Sequence, residues 1–413
     1  MGKIIVIGAG ASGMMAAIAA ARAGASVTVL EQMEKPGKKL LTTGNGRCNL
    51  TNTKPPEADT YRGANKELVH PVLRQFPAED TLAFFHELGL LTRERDGYVY
   101  PYTEQAGTVL EILLQEIRRL KIKMKYCEKV TEIQRTGEGF LVSTATWNYA
   151  CDRVILCAGG KAAPQTGSDG SGYLLSEKCG HRINPVYPAL VPLKTGGKMA
   201  SALSGIRNPA VLSLEIDGNM THRESGELQW TEYGVSGIVV FQLSRYASAA
   251  LAEKRKVRLH IDLMPDYTAE EIEALFREKA KRNPEQNAEE LLTGFLKKKM
   301  IGAFLKILGK KPLAQGMQNF CRRVVPMIKD LTLDITGTKT FDMAQVCMGG
   351  VSLEEVTPQT LQSKIEPGLY FAGELLDVDA ICGGYNLQWA WSSGVVAGRS
   401  GYVAGSNAGR DRI

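Results

Sequence analysis

Residues 3–31 read KIIVIGAGASGMMAAIAAARAGASVTVLE, and this stretch decides the fold. Lys3–Ile7 is short, apolar and β-branched, the pattern of a strand buried on both faces. Gly8, Gly10 and Gly13 then space a turn, and the alanine-rich run Met14–Arg22 predicts a helix ending at Gly24. Ser26–Leu30 (SVTVL) is the next strand, so the chain opens on a βαβ unit. In a GxGxxG at this place the first glycine makes the tight turn and the second admits a pyrophosphate. The third lets helix pack on strand, and the helix N-terminus faces the anion. Glu31 ends the second strand about 20 residues beyond Gly10, where a carboxylate accepts both hydroxyls of an adenosine ribose. Strand, glycines, helix, strand and acid in one register predict a dinucleotide site.

Further out, Arg153–Cys157 (RVILC) and Gly368–Ala372 (GLYFA) are apolar strands that each end in glycine, the second leading to a helix at about 387–398. Val130–Gln134 and Phe140–Thr144 read as small antiparallel strands. Alternation in Val211–Ile216 and Val257–Ile261 predicts an antiparallel sheet or barrel at about 190–265, and helical spacing follows over about 268–325. Two halves of one α/β domain therefore flank an insert. Charged residues make up 23% and the net charge is +6, an ordinary globular balance that implies no polyanionic partner. The eight cysteines form no CxxC pair and the five histidines no metal-ligand pattern, so neither a metal site nor a disulfide framework is expected. No apolar run approaches the ~18 residues of a membrane span, and the expectation is a soluble cytoplasmic protein.

The loop KKLLTTGNGRCNLTN (38–52) offers backbone N–H groups and cations to a diphosphate or to a flavin edge, or is simply a solvated basic loop. Cys48 beside Arg47 has the surroundings of a low-pKa nucleophile, although no histidine neighbours it in sequence. Downstream, Ala372-Gly373-Glu374 and the Gly383-Gly384 turn that opens a helix form a second polar-group-binding apparatus. The Gly167–Gly172 stretch (GSDGSG) lacks a βαβ unit and reads as no second nucleotide site.

GAGASG, the TTGNGRCNLTN loop, ILCAGG, WTEYGVSG (230–237) and AGELLDVDAICGGYNLQWAWSSG (372–394) together resemble one family. It is the YhiN/BaiN-type FAD-dependent oxidoreductase family, which includes aminoacetone oxidases and a 3-dehydro-bile acid Δ4,6-reductase. The resemblance spans the whole chain. It implies an α/β fold in which a glutathione-reductase-like FAD-binding Rossmann domain (1–190 and 330–413) carries an inserted β-barrel (191–267) and a small helical domain (268–329). Carried over residue by residue, FAD would contact Gly8, Gly10, Ala11, Ser12, Gly13, Glu31, Gln32, Lys38 and Lys39. It would also contact Thr43, Gly44, Asn45, Gly46, Arg47 and Cys48, with Val130 at the adenine. Gly373, Glu374, Asp379, Gly384, Tyr385, Asn386 and Leu387 would lie near the flavin. One departure is Glu232, where the family pattern often has histidine.

A single dinucleotide fingerprint implies that NADH or NADPH binds only transiently, as a co-substrate. The resemblance implies hydride delivery to conjugated C=C bonds of a 3-oxo-4,6-diene bile acid or its CoA thioester. A polarising donor is then needed at the carbonyl oxygen and a proton source at the adjacent carbon, for which Tyr233, Tyr385 and Asn386 are candidates. Alternatives are an aminoacetone-type amine oxidase and an RNA-associated flavoprotein. The lysines at 297, 298, 299, 306, 310 and 311 motivate the latter, although such a run equally suits a solvated helix face. The apolar Val235–Leu243 suits either a lid over a bulky substrate or the insert's own core, and Lys297–Lys299, Lys310 and Lys311 would meet a CoA phosphate at its rim.

Overall fold

A computed structural model describes residues 2–403 apart from 138, 310–312 and 314–315. The chain divides into two compact units, Met1–Pro188 with Ala344–Ile413 and Ala189–Met343.

In the first unit β1 (Lys3–Ile7) is followed by α1 (Ala11–Arg22) and β2 (Ser26–Leu30). β1 is central in a seven-stranded sheet and pairs in parallel with β2 on one side and Arg153–Leu156 on the other. The sheet continues through Leu369–Phe371 beyond Arg153–Leu156 and through Lys123–Lys125 beyond β2. Central strands covered by helices on their faces carry no polar alternation, which is why Ile4–Ile7 are all buried. The long helix Tyr385–Val403 packs against α1. Small residues permit that approach: a Cβ on Gly394 would stand 2.5 Å from Ser12 O, and one on Gly398 2.4 Å from Ala16 O. Among the described residues no helix is long and apolar enough to cross a membrane.

His181 is a buried histidine of this unit. His181 faces Glu355 through Nδ1 (3.1 Å) and Ser363 through Nε2 (2.8 Å), with its ring edge-on to Phe371. Burial lowers its pKa below the usual 6.5, against the opposing pull of Glu355. A depressed folded pKa gives a contribution that is complete above about 6.5 and lost as pH falls through the folded value. The urea midpoint should therefore drop between pH 7.5 and 5.5, with a slope of at most about 1.4 kcal/mol per pH unit from this group. His181→Gln should show a smaller drop, and equal drops in both proteins would exclude His181 as the source.

The second unit is a closed six-stranded barrel. Its strands run, in spatial order, Leu193–Thr195, Gly234–Ser236, Asn219–Thr231, Arg207–Ile216, Val257–Asp262 and Leu331–Thr338. Leu331–Thr338 was assigned from the sequence to the returning FAD domain, but it pairs with Val257–Asp262 and with Leu193–Thr195 and so completes the barrel. Its alternating burial is that of a strand with one face on a core. Within the helical spacing expected over about 268–325, residues 288–308 form two helices, Ala288–Leu292 and Lys298–Leu308. Val235, Val239, Val240 and Leu243 are fully buried in the core of this unit with Trp230, while Ile238 is 60% exposed. Of the two readings of Val235–Leu243, the insert's own core accounts for most of its apolar side chains.

Candidate functional site

The glycine turn explains itself by contacts. A Cβ on Gly8 (φ +100°) would lie 2.5 Å from Cys157 O, and one on Gly13 1.9 Å from Gly8 O. These two glycines let α1, β1 and the strand ending at Leu156 approach each other. Gly10 is different: its φ of −79° suits any residue, and a Cβ there meets nothing within 4 Å. Its open side is the wall of a cleft. α1 begins here without a side-chain cap, so its first-turn N–H groups remain available to an anion.

Glu31 is nine-tenths buried at the end of β2. Its Oε2 accepts from Ala9 N (2.7 Å) and its Oε1 from Met33 N (2.8 Å), so the carboxylate both faces the cleft and ties the glycine loop in place. Burial raises its pKa, with the Met33 and Ala9 N–H groups opposing. Glu31→Ala should lower FAD affinity by roughly the 1.5–3 kcal/mol of each charge-assisted bond lost, and Glu31→Gln by less because an acceptor oxygen remains. Reconstitution of FAD-stripped protein, followed by fluorescence, measures both. Wild-type affinity in the alanine variant would remove Glu31 from the site.

The cleft encloses about 1230 Å³ of empty space including its open mouth. Of the residues expected from the sequence, Gly8, Gly10, Ala11, Ser12, Glu31, Gln32, Lys38, Lys39, Thr43 and Val130 line it from the first half of the chain. Glu374, Asn386 and Leu387 line it from the second. Lys39 pairs with Glu374, whose Oε1 also accepts from Cys347 N (2.8 Å). Gln32 Nε2 donates to Gly167 O.

The other expected residues stand outside this lining. Gly13 is consumed by packing, and Gly373 sits under Ser12, whose Oγ would be 2.4 Å from a Cβ there. Gly384 abuts Thr51, Asp379 is buried in a short strand pairing with Arg62, and the Tyr385 hydroxyl donates to Lys54 O (3.4 Å). Gly44, Asn45 and Gly46 take positive φ (57°, 55° and 83°) and lie exposed, as does Arg47. Cys48 is fully buried and burial pushes its thiol up to about 12, the opposite of an activated nucleophile. Asn386 spends its amide on Ala380, donating to its O and accepting from its N (2.9 Å each), so neither it nor Tyr385 is a free donor for a carbonyl.

The cleft also contains residues the sequence reading passed over. Thr166, Gly167, Ser168 and Ser171 line it, so the GSDGSG stretch belongs to this one site rather than to a second. Lys129, next to Val130, pairs with Asp169 of that loop (2.8 Å). Gln345 and Val346 come from the segment that returns after the insert, and Trp389 holds Gly373 O through its indole N–H (3.0 Å). Repeated glycines were the available signal for the 166–171 loop, whereas Gln345 and Val346 carry none.

A cleft with an uncapped helix N-terminus, an unobstructed glycine at the anion position and a carboxylate at the ribose position fits FAD. A family model described as the HI0933-like protein Rossmann domain matches residues 2–400. The chain belongs to the HI0933-like family. Its first unit is a Rossmann-type FAD-binding domain, and the resemblance drawn from the GRCNLTN and GGYNLQ blocks stands. Among relatives in this family, a 3-dehydro-bile acid delta(4,6)-reductase of Clostridium scindens is 43% identical, covering 97% of this chain and 99% of its own. A ribosomal RNA dihydrouridine synthase of Haemophilus influenzae is 30% identical, covering 94% of this chain and 96% of its own. Its Escherichia coli namesake is 29% identical, covering 94% and 95%. Together these make the chain an FAD-dependent oxidoreductase.

Proposed function

We propose that the chain is a reductase of C=C bonds conjugated to a carbonyl, acting on a 3-oxo-4,6-diene bile acid or its CoA thioester with NADH or NADPH as transient donor. The observation that carries this is the 43% identity to the bile acid reductase along nearly the full length of both chains. The more distant relatives support the chemistry, since making dihydrouridine also saturates a C=C bond conjugated to a carbonyl. Bound in the cleft, FAD supplies the two-electron transfer. The chain's residues would do the rest: the α1 N-terminus and Gly10 would hold the diphosphate, Glu31 the ribose, and Val130 the adenine. Thr43, Asn386, Leu387 and Trp389 also line the cleft and would face the flavin ring system.

A second reading, reduction of a uracil base in RNA, rests on those relatives' names. The lysine run gives it less than the sequence promised. Lys297 and Lys299 donate to the carbonyls of Arg207 and Ser204, and Lys310 and Lys311 lie outside the described residues. Nothing in the cleft favours the amine oxidase. Incubating the FAD-loaded protein with NADH or NADPH and the dienone should give a product two mass units heavier per bond saturated, without peroxide. Unchanged dienone with peroxide released from aminoacetone would reverse the assignment.

A further inference from the structure

We propose that Arg47, seated on Tyr100, is the recognition group for an anionic end of the substrate, a role that rests on the reductase reading and specifies its ligand. Arg47 is exposed, and among the described residues no carboxylate pairs with it. Several arginines of this unit are instead engaged by carboxylates: Arg22 by Glu87 and Glu116, Arg119 by Glu116, Arg182 by Glu354. Arg47 is nevertheless held in place. Its Nε donates to Gly44 O (3.3 Å) and its guanidinium lies 5.3 Å from the Tyr100 ring centroid. The backbone beneath it is fixed by left-handed Gly44, Asn45 and Gly46 before it and by buried Cys48 (φ 60°) after it. A cation ordered in the free protein loses little freedom when it meets its ligand.

Its place connects it to the cleft. Tyr98 and Tyr100 alternate with buried Val99, so both project from one face of the strand Tyr98–Pro101. That face lies across two glycine turns: a Cβ on Gly44 would be 3.5 Å from the Tyr100 ring, and one on Gly383 3.4 Å from the Tyr98 ring. The two turns are joined through Asn49: with its amide turned so that donors face acceptors, its side-chain oxygen accepts from Gly384 N (3.1 Å). Thr43, next to the first turn, and Asn386 and Leu387, just beyond the second, line the cleft. Leu41 (40% exposed), six residues before Arg47, and Tyr98 (37%), on the same strand face as Tyr100, leave apolar surface on the elements that carry the guanidinium. One fixed cation bordered by apolar surface suits an amphipathic molecule with a single anionic end, and the planar fork of arginine suits carboxylate or phosphate.

The test uses the oxidised FAD holoenzyme and the difference spectrum of its flavin. A 3-oxo-4-ene bile acid, its uncharged methyl ester and its CoA thioester are titrated into wild type, Arg47→Ala and Arg47→Lys. Wild type should bind the acid or the thioester at least about tenfold more tightly than the ester. Arg47→Ala should bring that ratio close to one, Arg47→Lys should leave an intermediate ratio, and both should keep stoichiometric FAD. Loss of preference for the acid identifies the side-chain carboxylate as the partner, and loss for the thioester alone identifies a CoA phosphate; either supports the proposal. No preference in wild type, a preference retained by Arg47→Ala, or loss of FAD from that variant overturns it. Because no turnover is needed, an Arg47-dependent preference without enone reduction would count against the reductase reading rather than against the anion site.

Discussion

Gly10→Val should purify folded and colourless. The position has ordinary helix-entry backbone and no atom within 4 Å of a Cβ, so a side chain there needs no backbone to move. Its side chain instead projects into the cleft at the α1 N-terminus, where the phosphate backbone of the cofactor must come closest. The FAD content of the purified protein should fall by roughly a factor of ten or more, while thermal unfolding of the FAD-free form stays near wild type. Full yellow colour in this variant would mean that the cofactor runs elsewhere.

Gly13→Val, three residues on, should fail differently. Its Cβ would sit 1.9 Å from Gly8 O and 3.3 Å from Cys157 Cβ, so α1 can accept it only by lifting off β1. Overpacking of a flexible core costs about 1–3 kcal/mol, and a rigid backbone oxygen in the way puts this case at roughly 3 kcal/mol or more. At about 2–4 °C per kcal/mol, the FAD-free protein should melt some 6–12 °C lower than wild type. The pair separates two jobs of one motif, since Gly10 serves the ligand and Gly13 serves the fold. A Gly13→Val protein as stable as Gly10→Val would show that α1 is held less closely than the structure describes.

The βαβ unit and the return of the chain to it were legible because close packing and period leave marks in residue type: β-branched runs, glycines at contact points, a carboxylate at a strand end. The barrel was legible as alternation, but its last strand was lost. Leu331–Thr338 starts directly after the helix Met317–Lys329, and only its pairing with strands some seventy residues and more away shows where it belongs. The resemblance grouped Thr43 with Gly44–Cys48 at the cofactor; of these Thr43 lines the cleft, while Gly44, Asn45 and Gly46 form a left-handed turn beyond it. The same residue types that mark an anion-binding loop also mark a sharp turn, and only the dihedrals separate the two. Tyr385 and Asn386 attracted attention as polar groups beside a glycine turn, but the Asn386 amide closes that turn on Ala380 and the Tyr385 hydroxyl donates to Lys54 O. Gln345 and Val346 show the opposite case: unremarkable in sequence, they reach the cleft because their segment returns beside Glu374.

The central claim, transfer of electrons from reduced flavin to a conjugated C=C bond, is tested most directly without oxygen and without nicotinamide. The FAD-loaded protein is photoreduced until its visible band is bleached, then mixed in a stopped-flow instrument with the 3-oxo-4,6-diene bile acid, with unmodified ribosomal RNA, or with buffer. The account predicts that the bile acid restores the flavin band in one fast phase and yields a product two mass units heavier, while buffer leaves the band bleached. A band that stays bleached with the dienone and returns with the RNA would contradict the bile acid assignment in favour of uracil reduction. A band restored by neither acceptor, together with bleaching of the oxidised enzyme by aminoacetone, would contradict C=C reduction altogether.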